Sequence, residues 1–444
     1  MTLRLLFVRH GLSNFNRERR IQGRNDLSIL TAEGRAQALE TGNTLKDIAL
    51  TAAYSSPLQR AVETTEEILK GQGNQITPNL NDGLLEVDLE PWSGLTVDQI
   101  KEMHPEESRI WRQRPENLEL IRASNERYSP VGELMHQARN FISELLQHHP
   151  ASRDNSVLIV GHNAILRCLM LVLLGEPENG LRRLRIDNCA LSIFNLNQQS
   201  EHHDLQVQVE CLNSTAHLQS KIPPKGDGAR LILVRHGETN WNQEGRFQGQ
   251  IDIPLNENGR AQALAARYFL GNVSLAQAHS SSMSRPKETA EIILESHPGT
   301  SLSISHGLME IGHGLWEGKL ESEINSSWPE LLKSWKTAPE TVQMPDGENI
   351  HDVWERAVSS WNNIAKNLPP EDTALVVAHD AVNKTILCHL LGLKPADIWM
   401  VKQGNGGVSV IDIPLDQNQP AVVTCLNLTS HLGGVLDHTA AGAL

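Results

Sequence analysis

Two tripeptides in this chain have the residue types for chemistry at phosphorus. Arg9-His10-Gly11 and Arg235-His236-Gly237 each end an apolar, strand-like run, Leu3 to Val8 and Leu231 to Val234. A permanent cation therefore stands beside a titratable imidazole at the mouth of a buried strand. Neutral imidazole is a competent nucleophile toward phosphorus, and a guanidinium can hold phosphoryl oxygens bidentately. Glycine after the histidine lets the backbone turn tightly or approach a ligand closely.

Other strand ends add matching groups. Ser55-Ser-Pro-Leu-Gln-Arg60 has a counterpart in Ser280-Ser-Ser-Met-Ser-Arg285 at an offset of 225. Each supplies hydroxyls and a second arginine at a helix start, where free backbone N–H groups favour an anion. Gly161-His162-Asn163 and Ala378-His379-Asp380 place a second histidine between strand and helix. Two arginines and two histidines at one sheet edge need an anion, and phosphate is the natural one. A leaving alkoxide also needs a proton. The segments Leu84 to Gly94 and Leu308 to Gly318 align at an offset of 224 and share the carboxylates Glu86 and Glu310. A general acid of this kind contributes about 10²–10⁴-fold to rate. Asp88 and Glu90 have Gly312 and Gly314 opposite them and read as loop charges, while Trp92 and Trp316 read as core packing. Gly318-Lys319 does not complete a nucleotide loop, because the first motif glycine falls on His313 and Leu320 replaces the required Ser or Thr.

These coincidences belong to a tandem duplication. Gly34-Arg-Ala-Gln-Ala-Leu39 recurs identically at 259–264, Ile21-Gln-Gly23 returns as Phe247-Gln-Gly249, and Cys211-Leu-Asn213 returns as Cys425-Leu-Asn427 at an offset of 214. The expected layout is a domain over 1–213, a Pro- and Gly-bearing linker over 214–229, a second domain over 230–432 and a loosely held tail over 433–444. Within each copy, strands at 3–8, 52–54 and 156–160 alternate with helices over 32–46, 58–69 and 164–174, and the second copy repeats the alternation. Such alternation implies parallel βαβ units, hence an α/β fold built as a three-layer α/β/α sandwich with ligands at the carboxyl ends of its strands.

A length of 444 residues fits two such domains, and 39% hydrophobic with 21% charged residues is ordinary globular usage. The net charge of −14 gives no basic field for nucleic acid or an anionic membrane surface, so an anionic ligand must be held locally. No apolar run approaches the roughly 20 residues that cross a bilayer. Arg4 interrupts the start too soon for a signal-peptide core, which makes a cytoplasmic protein the expectation. The five cysteines are scattered and read as reduced buried thiols, and the His-His pairs at 148–149 and 202–203 read as solvated surface. Neither a metal nor a cofactor is implied.

Taken as an ordered set, Arg-His-Gly, Glu238-Thr-Asn-Trp-Asn242, the Ser-Ser segment ending in Arg, the segment Leu308 to Gly318 and the late strand ending in His resemble the histidine phosphatase (phosphoglycerate mutase-like) superfamily over nearly all of both copies. The resemblance implies two phosphoglycerate mutase-like domains. His10 and His236 would accept the phosphoryl group; Arg9 with Arg60, and Arg235 with Arg285, would clamp it together with His162 and His379; Glu86 and Glu310 would donate the proton. Asn16 and Asn242 match a phosphate-contacting Asn of the family, and Gln22 and Gln248 fall where substrate contacts are common. Ser13 and Thr239 would either touch ligand or cap their loop. Leu12 and Phe15 depart from the family's usual Glu or Gln and Trp, which the second copy keeps as Glu238 and Trp241; Asp380 departs from the usual Gly or Asn and puts a carboxylate beside the phosphate site. The proton-donor segments look like the phosphatase branch, and the tandem layout is similar to 2-carboxy-D-arabinitol-1-phosphate phosphatases. The implied function is metal-independent hydrolysis of small sugar or sugar-acid phosphates through phosphohistidine. The alternatives are a mutase-type isomerase, or a pair in which one copy only binds phosphate ligands. The implied partner is a small phosphate ester, with the two copies docked as an intramolecular pseudo-dimer.

Overall fold

The computed structural model describes residues 1–198 and 205–440. They form two compact units, Met1–Pro223 with Asn418–Pro420 and Pro224–Gln417 with Ala421–Leu444. In the first unit the strands of the main sheet are β1 (Leu3–Arg9), β2 (Ala52–Ser55), β3 (Asn79–Leu80), β4 (Asn155–Gly161), β5 (Leu191–Gln198) and β6 (Leu205–Ser214). They lie side by side in the order β6-β5-β1-β4-β2-β3. β1, β2 and β3 run parallel with their neighbours β4 and β2, while β5 pairs antiparallel with β1 and β6. The principal helices are α1 (Ala32–Thr44), α2 (Gln59–Gln72), α3 (Pro130–His148) and α4 (Asn163–Leu173).

The second unit repeats the plan with β7 (Ala229–Arg235), β8 (Gln277–Ser281), β9 (Leu302–Ser305), β10 (Thr373–Ala378), β11 (Val408–Ile413) and β12 (Val422–Leu428), in the order β9-β8-β10-β7-β11-β12. Its helices are α5 (Glu257–Leu270), α6 (Ser284–Leu294), α7 (Ile350–Asn367) and α8 (Asp380–Leu391). Every residue of β7 and β10 is buried, so both faces of the sheet are covered. Continuous apolar strands of this kind are the mark of a parallel sheet with helices on either side. α1 packs on α2 and α3 on α4, with α5 on α6 and α7 on α8 in the second unit.

Helix starts follow from local chemistry. Thr31 caps α1 by accepting from the Gly34 N–H at 3.0 Å, and Asn256 caps α5 by accepting from the Gly259 N–H at 2.8 Å. The antiparallel strands β5, β6, β11 and β12 have no counterpart in the strand–helix alternation read from the sequence. Of the histidine pairs expected at the surface, His148 is exposed, His149 is only part exposed with its Nε2 3.0 Å from the Tyr54 hydroxyl, and His202 and His203 lie outside the described residues. The tail is not loose over 433–440: the Asp437 carboxylate accepts from the Thr439 N–H and hydroxyl at 2.9 and 2.7 Å, and the Thr439 hydroxyl accepts from the Asn405 N–H at 3.1 Å. Among the described residues no helix is long and apolar enough to cross a membrane.

Candidate active site

Three adjacent parallel strands, β1, β4 and β2, end together, and the residues just past their ends make the first site. The His10 N–H donates to the Gly161 carbonyl at 2.9 Å and the Ser56 N–H to the Val160 carbonyl at 3.0 Å. His10, Ser56 and His162 are thereby fixed along one edge. The His10 and His162 rings lie 5.2 Å apart, and the equivalent His236 and His379 rings are also 5.2 Å apart.

The tautomer of His10 and of His236 follows from their neighbours. His10 Nδ1 lies 2.8 Å from the Gly11 carbonyl, and His236 Nδ1 lies 2.7 Å from the Gly237 carbonyl. A carbonyl oxygen only accepts, so Nδ1 carries the hydrogen and Nε2 keeps its lone pair. In the second copy Arg285 Nε donates to this His236 Nε2 at 3.3 Å. Burial, with Arg9 and Arg60 nearby, holds the His10 imidazole well below its usual range; burial, with Arg285 and Arg235, does the same for His236. Both rings are therefore neutral and nucleophilic at pH 7.

The second histidines have the opposite hand to play. Ser56 Oγ accepts from the Leu58 N–H and lies 2.8 Å from His162 Nε2; Ser281 Oγ accepts from the Met283 N–H and lies 2.9 Å from His379 Nε2. The serine hydroxyl is free to donate to Nε2, which leaves the hydrogen on Nδ1. That Nδ1 is buried without a partner in both copies. Burial also holds both of these imidazoles well below their usual range, with Arg60 adding to the effect at His162 and Arg285 at His379.

The arginines are held from behind. Arg60 donates to the Gly23 and Asn25 carbonyls at 2.9 and 3.0 Å, and Arg285 to those of Gly249 and Ile251 at 2.9 and 3.2 Å. Burial pulls each of these two guanidinium groups down to about 10, which leaves them cationic at neutral pH. Arg9 donates to the Ile186 carbonyl at 3.0 Å and Arg235 to the Gln403 carbonyl at 2.6 Å. Buried polar atoms without a partner are rare in folded proteins. Here Arg9 Nε, Arg60 Nε, Gln22 Oε1 and His162 Nδ1 are all of that kind in the first copy, as are Arg235 Nε, Gln248 Oε1 and His379 Nδ1 in the second. Such a set fits an anion with its organic half.

Glu86 sits on the N-terminus of α4, accepting from the Ala164 and Ile165 N–H groups at 3.1 and 3.2 Å. Those are the orphan donors of a helix start, which suit a carboxylate. Glu310 accepts from the Asp380 N–H at 3.0 Å in the same way, and burial, reinforced by the Asp380 carboxylate, pushes its carboxyl above the usual range. A shift in this direction favours the protonated form, the form a general acid needs.

Asn16 Oδ1 accepts from the Ser13 N–H and hydroxyl at 3.2 and 3.0 Å and Asn242 Oδ1 from those of Thr239 at 3.1 Å each. The Ser13 and Thr239 side chains cap their helix starts, accepting from the Asn16 and Asn242 N–H groups. Asp88 and Glu90 are loop charges, taken by Arg122 at 3.3 Å and by the Ala123 N–H at 3.3 Å, and Trp92 and Trp316 are fully buried. Leu12 leaves the site unharmed: the Glu238 carboxylate ties its loop to Asn256 at 2.9 Å, and in the first copy the Thr31 hydroxyl ties onto the Leu12 carbonyl at 2.8 Å instead. Asp380 does enter the site, 3.4 Å from Arg235 and 2.8 Å from Lys384.

Sequence reasoning missed Asn188 and Asn405. Asn188 Nδ2 donates to the His10 carbonyl at 2.7 Å and to Asn16 Oδ1 at 3.2 Å, and Asn405 Nδ2 to the His236 carbonyl and Asn242 Oδ1 at 3.2 and 3.4 Å. They stand in unlike contexts, Asp-Asn-Cys and Gly-Asn-Gly, so only their offset of 217 could have marked them.

A family model for the histidine phosphatase superfamily (branch 1) matches residues 5–207 and 231–426. The chain is 27% identical over 443 residues to the 2-carboxy-D-arabinitol-1-phosphatase of Triticum aestivum, covering 97% of this chain and 86% of that protein. It is 33% identical over 204 residues to phosphoserine phosphatase 1 of Hydrogenobacter thermophilus, covering 46% of this chain and 94% of the relative. Among solved structures, the phosphoserine phosphatase of Entamoeba histolytica in complex with 3-phosphoglyceric acid matches 46% of this chain and 99% of its own, at 28% identity and a TM-score of 0.38.

Proposed function

Because the chain belongs to the histidine phosphatase superfamily (branch 1), we propose that it is a phosphomonoesterase with a phosphohistidine intermediate in each copy. The reading rests above all on the recurrence, in both copies, of buried guanidinium, imidazole and amide atoms without protein partners around a neutral histidine.

His10 Nε2, or His236 Nε2, attacks phosphorus as the P–O bond to the organic half breaks. The departing oxygen takes the proton of Glu86 or Glu310. Arg9, Arg60 and the His162 Nδ1–H, with their counterparts Arg235, Arg285 and His379, neutralise charge on the non-bridging oxygens, where preorganised donors act most strongly. Water then attacks phosphorus with the carboxylate as base, the N–P bond breaks, and inorganic phosphate leaves with the histidine restored. Asn16 and Asn242 contribute an amide Nδ2 to the phosphoryl group, while Gln22 and Gln248 meet the ester beyond it. Small sugar or sugar-acid phosphates are the substrates we favour, given a full-length relative named for such an ester.

The test is hydrolysis of p-nitrophenyl phosphate by pure protein in EDTA. His10→Ala and His236→Ala should each lower turnover and the double variant should abolish it. Undiminished turnover by the double variant would overturn the mechanism, and a silent wild-type protein would overturn the activity.

A further inference from the structure

The two sites are built alike, yet the charge around them differs. Arg24 lies between Gly23 and Asn25, whose carbonyls hold Arg60. Its Nε donates to the Glu86 backbone carbonyl at 2.9 Å and its Nη2 to Gln137 Oε1 at 3.0 Å, while Nη1 makes no hydrogen bond among the described residues. The same station in the second copy belongs to Gln250, whose Nε2 donates to the Glu310 carbonyl at 3.0 Å and to Glu348 at 3.2 Å. A cation has been exchanged for a neutral amide with the backbone contact preserved.

Two further exchanges have the same sign. Ser93 gives way to Glu317, whose carboxylate accepts from the Gln250, Ile251 and His313 N–H groups at 2.9, 3.1 and 3.1 Å. Gln250 and Glu317 line a cleft of ≈ 430 Å³ with Asp346 and Glu348, in which every charged side chain is acidic. Deeper in, Asn163 gives way to Asp380, which lies against Arg235. The acids that the first copy carries in return are engaged, Asp88 by Arg122 and Glu90 by the Ala123 N–H. In the second copy Arg356 takes the station of Gln137, its guanidinium donating to the Gly307 and Glu310 carbonyls at 3.1 and 3.0 Å, but this cation is paired with Glu348 at 2.8 Å, whereas no acid pairs with Arg24 among the described residues.

Position gives this difference its meaning. If Glu86 and Glu310 protonate the leaving oxygen, the organic half of the ester departs on their side, and Arg24 and Gln250 are bonded to their very backbones. We infer that the two copies sort phosphate esters by the charge of the organic half. The first takes esters with a carboxylate near the phosphoester, read by Arg24; the second takes esters whose organic half is neutral or carries an ammonium group. The inference rests on the phosphomonoesterase reading above. A charge-assisted contact of Arg24 with a carboxylate is worth about tenfold or more in discrimination.

Phosphate release from 3-phosphoglycerate, glycerol 3-phosphate and phosphoethanolamine should be measured on His236→Ala, which leaves only the first copy, and on His10→Ala, which leaves only the second, with p-nitrophenyl phosphate as a reference ester common to both. The ratio of kcat/KM for 3-phosphoglycerate over glycerol 3-phosphate should be at least about tenfold higher in His236→Ala. Adding Arg24→Gln there should lower the ratio about tenfold, and adding Gln250→Arg to His10→Ala should raise it. Arg24 and Gln250 are exposed, so both swaps should melt like their parents. Equal ratios in the two copies, a ratio unmoved by Arg24→Gln, or a copy silent toward every ester while its sister turns over p-nitrophenyl phosphate would overturn the sorting alone. Silence of both copies toward p-nitrophenyl phosphate would remove the phosphatase reading and the sorting with it.

Discussion

Replacing Gly34 by alanine should disable the first copy, although local propensity argues the other way. Gly34 is the third residue of α1, and alanine within a helix is ordinarily better than glycine by about 0.5–1 kcal/mol. Here the helix start is pressed onto the loop that carries His10. A Cβ on Gly34 would lie 2.7 Å from the Leu12 nitrogen and closer still to the Leu12 carbonyl oxygen. Ordinary contact starts at 3.4 Å and the oxygen is the nearer atom, so the loop must retreat by about 1 Å, and backbone cannot rotate aside as a flexible side chain can. Overpacking of this type costs about 1–3 kcal/mol, and pressure on backbone belongs at the upper end. After the helix gain, a net loss of about 2 kcal/mol remains, a Tm lower by about 4–8 °C for a unit of this size. Displacement of the nucleophile by close to 1 Å should cost about 100-fold in kcat/KM. The assay is p-nitrophenyl phosphate turnover and a thermal melt in the His236→Ala background. Activity within threefold of the parent, with an unchanged Tm, would refute the reasoning.

Acid should destabilise the protein: burial holds His10, His162, His236 and His379 below their usual 6.5, so the unfolded chain binds protons that the folded chain refuses. Stability is then complete above pH 6.5 and lost as pH falls toward the folded values, by up to about 1.4 kcal/mol per histidine per pH unit; urea midpoints that agree at pH 7.5 and 5.5 would contradict this. His313, pulled down to about 3 by burial, has neither ring nitrogen partnered and stands where the first copy has the buried Leu89; His313→Leu should stabilise by about 1–3 kcal/mol, and a lowered Tm would count against it. Ser56→Ala, in the His236→Ala background, frees His162 Nε2 of its partner and should lower kcat/KM by about tenfold without changing Tm by more than a few degrees; an unaltered kcat/KM would show that the serine does not set the tautomer.

Much of the candidate site is legible in the chain because strand ends are legible. An apolar run that stops at Arg-His fixes where the side chains emerge, and a repeat confirms the position twice. The repeated hexapeptide was visible too, but its reason was not: Gly34 and Gly259 matter because Gly11 and Gly237 lie against them, a contact between segments that only the fold brings together. Asn188 and Asn405 were hidden for the same cause, since they reach the nucleophile from loops 178 and 169 residues downstream. The packed stretch 433–440 was misread because small and polar residues look loose in sequence, while Asp437 and Thr439 earn their order through hydrogen bonds to partners elsewhere.

The duplication acts as an internal control on what the site is for. A buried polar group left without a partner costs about 1–3 kcal/mol, and drift between two copies should erase such a cost wherever it serves nothing. The same arginine Nε, glutamine Oε1 and second-histidine Nδ1 atoms nevertheless stand unpartnered in both copies, at Arg9 and Arg235, at Gln22 and Gln248 and at His162 and His379. What has drifted is the surround: Arg24 to Gln250, Ser93 to Glu317 and Asn163 to Asp380. Invariance at the atoms that would meet a phosphoryl group, together with divergence at those that would meet whatever it is esterified to, is the pattern expected if one reaction is run on two kinds of ester. A chain that kept its second copy only as scaffold would have no reason to hold those atoms bare.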